Sequence, residues 1–144
     1  MPENYARLEF SGSTANLGLA RVAGATFAGN LEFTLTEIEE IKVALSEAVS
    51  NAIIHGYDED PAGKVLVEFH EEGRGMKIIV EDRGRGMEAT ETEVKDEDRL
   101  GLGLTFIKAF MDRLDIITEP GQGTRLEMYK LPARVENTVR KEVE

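Results

Sequence analysis

"EAVSNAIIHG", Glu47 to Gly56, sets a carboxylate, a carboxamide four residues on and an imidazole four beyond that along an apolar run that stops at glycine. At about 100° per residue, Glu47 and Asn51 lie within about 40° of each other. Both point away from the stripe made by Ile38, Ile41, Leu45, Ala48, Val49, Ala52 and Ile53. This spacing predicts a helix with one face in a core and a second, polar face. Taken alone, the Glu–Asn pair also fits an ordinary solvated helix surface.

Thr34 or Thr36 is placed to cap this helix, with Glu37 or Glu39 three residues on as in a capping box. Upstream, "YARLEFS" alternates Leu8 and Phe10 with polar neighbours and reads as a strand. Thr14 to Ala28 has helical spacing, with Gly29-Asn30 as its stop. Downstream, "YDEDPAGK" is turn chemistry and "VLVEFHEEGRGMKIIVED" a hairpin around Gly73 to Gly75. Arg83 to Arg99 lacks a period and reads as a loop. Gly101 to Leu114 resumes helical spacing through Leu104, Ile107, Phe110, Met111 and Leu114, and "DIITEPGQGTRLEMYKL" reads as strand, glycine turn, strand. The order predicts an α+β two-layer sandwich, helices on one face of a mostly antiparallel mixed sheet, in a single domain over 1–132. The tail, 133–144, alternates acid and base and is expected to be frayed or disordered.

Composition narrows the chemistry. A chain of 144 residues with a hydrophobic fraction of 41% can bury one ordinary core. No apolar run approaches the roughly 20 residues of a membrane span, and "MPENYARLEF" lacks the regions of a signal peptide, so a cytoplasmic location without membrane contact is expected. The absence of cysteine excludes disulfides, thiolate zinc sites and cysteine nucleophiles. A net charge of −11 opposes direct nucleic-acid binding and favours a basic protein surface as partner.

Three glycine-rich segments follow the central helix: "EDRGRGM" from Glu81, "RLGLGL" from Arg99 and "EPGQGT" from Glu119. Each stands at a junction of elements, where glycine permits positive φ and close approach of backbone N–H groups to a ligand. Singly, each also reads as a plain turn. Gly101 and Gly103 are more suggestive, since the free N–H groups of a helix they open favour phosphate.

The four segments in this order resemble the nucleotide-binding fold shared by DNA gyrase, Hsp90, MutL and histidine kinases, the GHKL or Bergerat fold. The resemblance covers nearly the whole chain. The "EAVSNAIIHG" form is most similar to the branch of anti-sigma-factor serine-protein kinases. That resemblance implies ATP/ADP and Mg²⁺ as cofactors, Asn51 as the metal ligand and Glu47 as the general base. It implies that Asp82 accepts the adenine amino group, that Gly84 and Gly86 let the chain pass near the base, and that Gly101 and Gly103 cradle phosphates. Thr124 would complete the adenine site, although a Thr opening a strand is as often a plain β former. Arg99 would pair with the β- or γ-phosphate, and Arg21 would contact partners. His55 suits a structural place at the helix end better than catalysis, and Ile79 and Met87 suit core or pocket wall. The implied partners are an RNA polymerase sigma factor, a STAS-domain anti-anti-sigma protein and a second copy of the chain. Between Gly86 and Gly101, "MEATETEVKDEDRL" is shorter than the usual lid, which leaves a non-catalytic ATP/ADP-gated binding module as the alternative.

Overall fold

Thr34 opens the central helix by exchanging hydrogen bonds with Glu37. In the computed structural model, which describes residues 3–56, 62–84, 104–119 and 121–134, the Thr34 hydroxyl accepts the Glu37 N–H at 3.1 Å and Glu37 Oε1 accepts the Thr34 N–H at 2.9 Å. Two otherwise unpaired donors of the first turn are thereby satisfied. The helix, α2, runs Leu35–Asn51 and continues into one π-helical turn, Ala52–Gly56. Before it come β1 (Tyr5–Ser11), a 3₁₀ turn (Thr14–Asn16) and α1 (Leu17–Gly29). After it come β2 (Lys64–Glu72), β3 (Gly75–Asp82), α3 (Thr105–Phe110), β4 (Arg113–Glu119) and β5 (Gly123–Lys130).

The strands form one sheet in the order β1-β2-β3-β5-β4. All four pairings are antiparallel, so the parallel contact that a mixed sheet would contain does not occur among the described residues. Strand residues alternate between faces. The helix-facing rows run Ala6–Phe69–Ile78–Met128–Leu114, then Leu8–Val67–Val80–Leu126–Ile116, then Phe10–Val65–Asp82–Thr124–Thr118. The first two rows are apolar and pack under α2, whose Ile41, Ala44, Leu45, Ala48 and Val49 have no measurable exposure. At the site end, the last row turns polar.

α1 lies close because it is built from small residues. Gly24 sits against the Leu45 side chain and the Phe69 ring, and the Phe27 and Phe69 rings meet at 5.7 Å. The opposite face of the sheet carries ion pairs, among them Lys77–Glu127 at 3.1 Å and Arg125–Glu81 at 3.5 Å. Ile79 is buried on that charged face between Glu68 and Glu127, outside the main core cluster, where it lines a pocket with Lys77 and Arg125.

The third helix departs from the expected span. Helical spacing suggested continuation to Leu114, but α3 ends at Phe110, Met111 is extended at φ −102° and ψ 149°, and Arg113 and Leu114 already pair with Tyr129 and Met128. Leu114 finds its apolar surroundings in the sheet, where β5 offers a ladder edge that further helix would leave unpaired. The buried Lys130 ammonium donates to the Phe110 carbonyl and so caps that early end. Ala133, the first residue of the tail, donates its N–H to Glu37 Oε2 at 2.9 Å, which ties it to the start of α2; residues 135–144 lie outside those described.

Candidate functional site

Glu47 and Asn51 face inward on the last turns of α2, toward α3. Glu47 Oε2 and Asn51 Nδ2 are both buried, and neither has a hydrogen-bond partner among the described residues. Unsatisfied buried polar atoms are costly, and two of them one helical turn apart mark ground prepared for a polar ligand. Burial pushes the Glu47 carboxyl above its ordinary value, while hydrogen bonds from the backbone N–H groups of Phe106 and Ile107, in the first turn of α3, pull the other way. The π-helical turn that follows Asn51 packs on β3 and β5. It buries Ala52 and Ile53 and leaves Ile54 and His55 exposed, and such turns often stand at functional sites.

The same two strands carry the second cluster. Asp82, the last residue of β3, lies opposite Thr124 and is only 5% exposed. Its Oδ1 accepts the Gly84 N–H at 3.0 Å, and its carboxylate also accepts the Thr124 N–H. Burial nevertheless pushes the carboxyl up to about 6, against those two N–H groups and with the Glu81 charge acting in the same direction as burial. A buried carboxylate with spare acceptor capacity at a strand end is a directed acceptor for an amino group.

Gly123 makes that packing possible. Its φ is +93°, and a Cβ would fall against the Asp82 carbonyl and the Arg83 Cα, so β5 can pass β3 this closely only at glycine.

Of the residues expected to act, the structure therefore brings Glu47 and Asn51 together on α2, and Asp82, Gly84 and Thr124 together at the ends of β3 and β5. Arg21 is exposed on α1. Gly86, Arg99, Gly101, Gly103, Met87 and the short lid lie outside the described residues. Two contributors were not anticipated. The N–H groups of Phe106 and Ile107 carry no side-chain signal. The Thr118 hydroxyl stands 3.1 Å from that of Thr124, and its only trace in the sequence was alternation along β4.

The donor set fits a metal–nucleotide. A neutral carboxamide oxygen beside a carboxylate suits a hard cation that keeps water and phosphate as further ligands, and the unpartnered Glu47 Oε2 acceptor and Asn51 Nδ2 donor suit a polar occupant such as water and phosphate around it.

The match to the family described as "Histidine kinase-like ATPase domain" spans residues 10–130, from the end of β1 through β5. The chain belongs to that family. Within it, the chain is 39% identical to the anti-sigma F factor of Anoxybacillus flavithermus, over 88% of this chain and 92% of that one. It is 41% identical to the anti-sigma F factor of Clostridium acetobutylicum, over 95% of this chain and all of the relative. Among solved structures, the RsbU and RsbW domains of a Mycobacterium tuberculosis protein superpose with a TM-score of 0.68 at 20% identity, over 89% of this chain and 32% of that one. A blue-light activated histidine kinase of Erythrobacter litoralis superposes at 0.63 and 18% identity, over 86% of this chain and 43% of that one. Both are likenesses of fold.

Proposed function

We propose that this chain is an anti-sigma factor with ATP-dependent serine-protein kinase activity, which sequesters an RNA polymerase sigma factor and phosphorylates a STAS-domain anti-anti-sigma partner. The observation that carries the reading is the pairing of Glu47 and Asn51, each with a buried unpartnered atom, one helical turn apart on α2. The resemblance to anti-sigma F factors along nearly the full chain supports it.

Mg-ATP, when bound, supplies the transferable γ-phosphoryl group with its charge neutralised. Asn51 would hold the metal through its carboxamide oxygen, and Asp82 would accept the adenine amino group with Thr124 beside it. Glu47 would take the proton of a partner serine hydroxyl as that oxygen attacks. Burial, by raising the affinity of its carboxyl for a proton, suits it to that role. Gly84 and Gly86 would line the base, Gly101 and Gly103 the phosphates, and Arg99 the β- or γ-phosphate. Arg21, exposed on α1, would contact a partner. The net charge of −11 fits a basic sigma-factor surface, and the small residues of α1 fit a close contact between two copies. Among the described residues no helix is long and apolar enough to cross a membrane.

A second reading is an ATP/ADP-gated binding module, in which the Phe106 and Ile107 N–H groups fix the Glu47 carboxylate beside the nucleotide and the ATP and ADP states differ only in partner affinity.

Transfer of labelled γ-phosphate from Mg-ATP to the STAS-domain partner distinguishes them. Label on the partner that falls 10²- to 10⁴-fold in Glu47→Gln, with nucleotide binding retained, is the expected result. Nucleotide binding without label in the wild type establishes the gated module instead.

A further inference from the structure

Leu126, Met128 and Lys130 take successive helix-facing positions on β5, and all three are buried. The third puts an ammonium group where strand alternation calls for an apolar side chain. A charge so placed is costly unless it is paired. Lys130 is paired with both helices that flank Glu47. Its ammonium donates to the Phe110 carbonyl, at the last residue of α3, and its charge acts on the Glu37 carboxylate in the first turn of α2. α3 is thus attached at both ends. In its first turn the Phe106 and Ile107 N–H groups reach the Glu47 carboxylate, and at its last residue Lys130 ties it to β5 and to the start of α2.

We infer that Lys130 is a positioning residue for Glu47: by fixing the far end of α3 it holds the first-turn N–H groups of that helix against the carboxylate. The inference rests on the reading of Glu47 as general base and adds to it a determinant on β5. A helix of six residues has little stability of its own, so its place is set by such attachments and by its buried neighbours Leu104, Ile107 and Met111. The Asp112 N–H also bonds to the Tyr129 carbonyl, at 2.8 Å, but it lies past the helix end, beyond the extended Met111. Without the ammonium, the Phe110 carbonyl loses a charged donor and Glu37 a counter-charge, and α3 can pivot about the buried Ile107. The N–H groups then leave Glu47, whose carboxylate gains orientations that do not face the attacking hydroxyl.

The test begins with residue-resolved amide hydrogen exchange, without nucleotide, on wild type and Lys130→Met. Methionine keeps an unbranched stem and removes the charge and the donor. As first-turn groups, the Phe106 and Ile107 amides have no carbonyl partner within α3, so their protection reports the contact with Glu47. It should fall at least tenfold relative to the β3 amides. A merely structural loss lowers the protection of all these amides together and leaves that ratio unchanged. Transfer of labelled γ-phosphate to the STAS-domain partner at saturating Mg-ATP then gives kcat. Lys130→Met should lower kcat at least tenfold and cause no further fall in a Glu47→Gln background. Should Lys130→Met fail to fold, Lys130→Gln serves in the same comparisons.

An unchanged exchange ratio in the variant, or a kcat that falls equally in both backgrounds, overturns the inference while leaving the kinase reading intact. A wild type that binds nucleotide but transfers no label overturns the kinase reading and the positioning role with it.

Discussion

The Asp82 carboxylate accepts the backbone N–H of Thr124, the residue directly opposite it across the β3–β5 pairing, so the two form one unit at the end of the sheet. A carboxylate there has a stability consequence as well as a binding one. Its folded value of about 6 lies above the ordinary 3.8, so between these pH values the native state holds the extra proton. Stability from this group is therefore present below about pH 4 and lost as pH rises through about 6. Asp82→Asn should relieve up to about 2 kcal/mol at pH 8 and little at pH 4. Its melting temperature without nucleotide should exceed that of wild type at the higher pH only. The same variant should bind ADP roughly 10- to 100-fold more weakly, from loss of a charge-assisted acceptor. Thermal melts at the two pH values and calorimetry with ADP check both.

Asn51 should carry the metal dependence of nucleotide affinity. Removal of Mg²⁺ with a chelator is expected to weaken ADP binding by wild type at least tenfold, about 1.4 kcal/mol. Asn51→Ala should bind ADP at the wild-type metal-free level whether or not the metal is present. Retention of the full Mg²⁺ effect in the variant would remove Asn51 from the metal site.

Gly123→Ala and Gly121→Ala separate backbone strain from steric conflict. Both glycines have positive φ, +93° and +78°, but only at Gly123 would a Cβ meet the Asp82 and Arg83 backbone. Gly121→Ala should cost about 1 kcal/mol. Gly123→Ala should cost about 3 kcal/mol or more and weaken ADP binding as well, because β5 must move away from Asp82. Denaturant unfolding of both, with ADP titrations, makes the comparison.

Glu37 should act as an acid-labile fastener. Burial raises its carboxyl, but the N–H groups of Thr34 and Ala133, the Thr34 hydroxyl and the Lys130 charge outweigh burial and hold it below its ordinary value. Its contribution is thus present above about pH 4.5 and lost as pH falls below that. Glu37→Gln should flatten the acid limb of the stability curve, and Thr34→Ala, which removes the other half of the capping box, should cost about 1 kcal/mol. Urea unfolding of each between pH 3 and 7 measures this.

Local chemistry was legible wherever it acts over a few residues. "YARLEFS" coincides with β1, Thr34 and Glu37 form the capping box, and the apolar stripe of α2 is buried as its period requires. Glu47 and Asn51 share a face because four residues make just over one helical turn. The fold class followed from the order of the elements.

Leu114, Thr118 and the Glu47 carboxylate show where such reading stops. Leu114 has helical spacing, yet it belongs to β4 because β5 supplies hydrogen bonds from across the sheet. Thr118 is one alternating residue until its pairing opposite Thr124 brings the two hydroxyls together. Periodicity and capping depend on neighbours three or four positions away, so the sequence by itself determined the first two helices, the hairpin and the polar pair on α2. The cluster of Asp82, Gly123 and Thr124, the threonine pair behind it and the N–H groups that hold Glu47 were decided only by tertiary structure. They join strands and helices remote in the chain, and their contacts exist only once the register of the sheet is set.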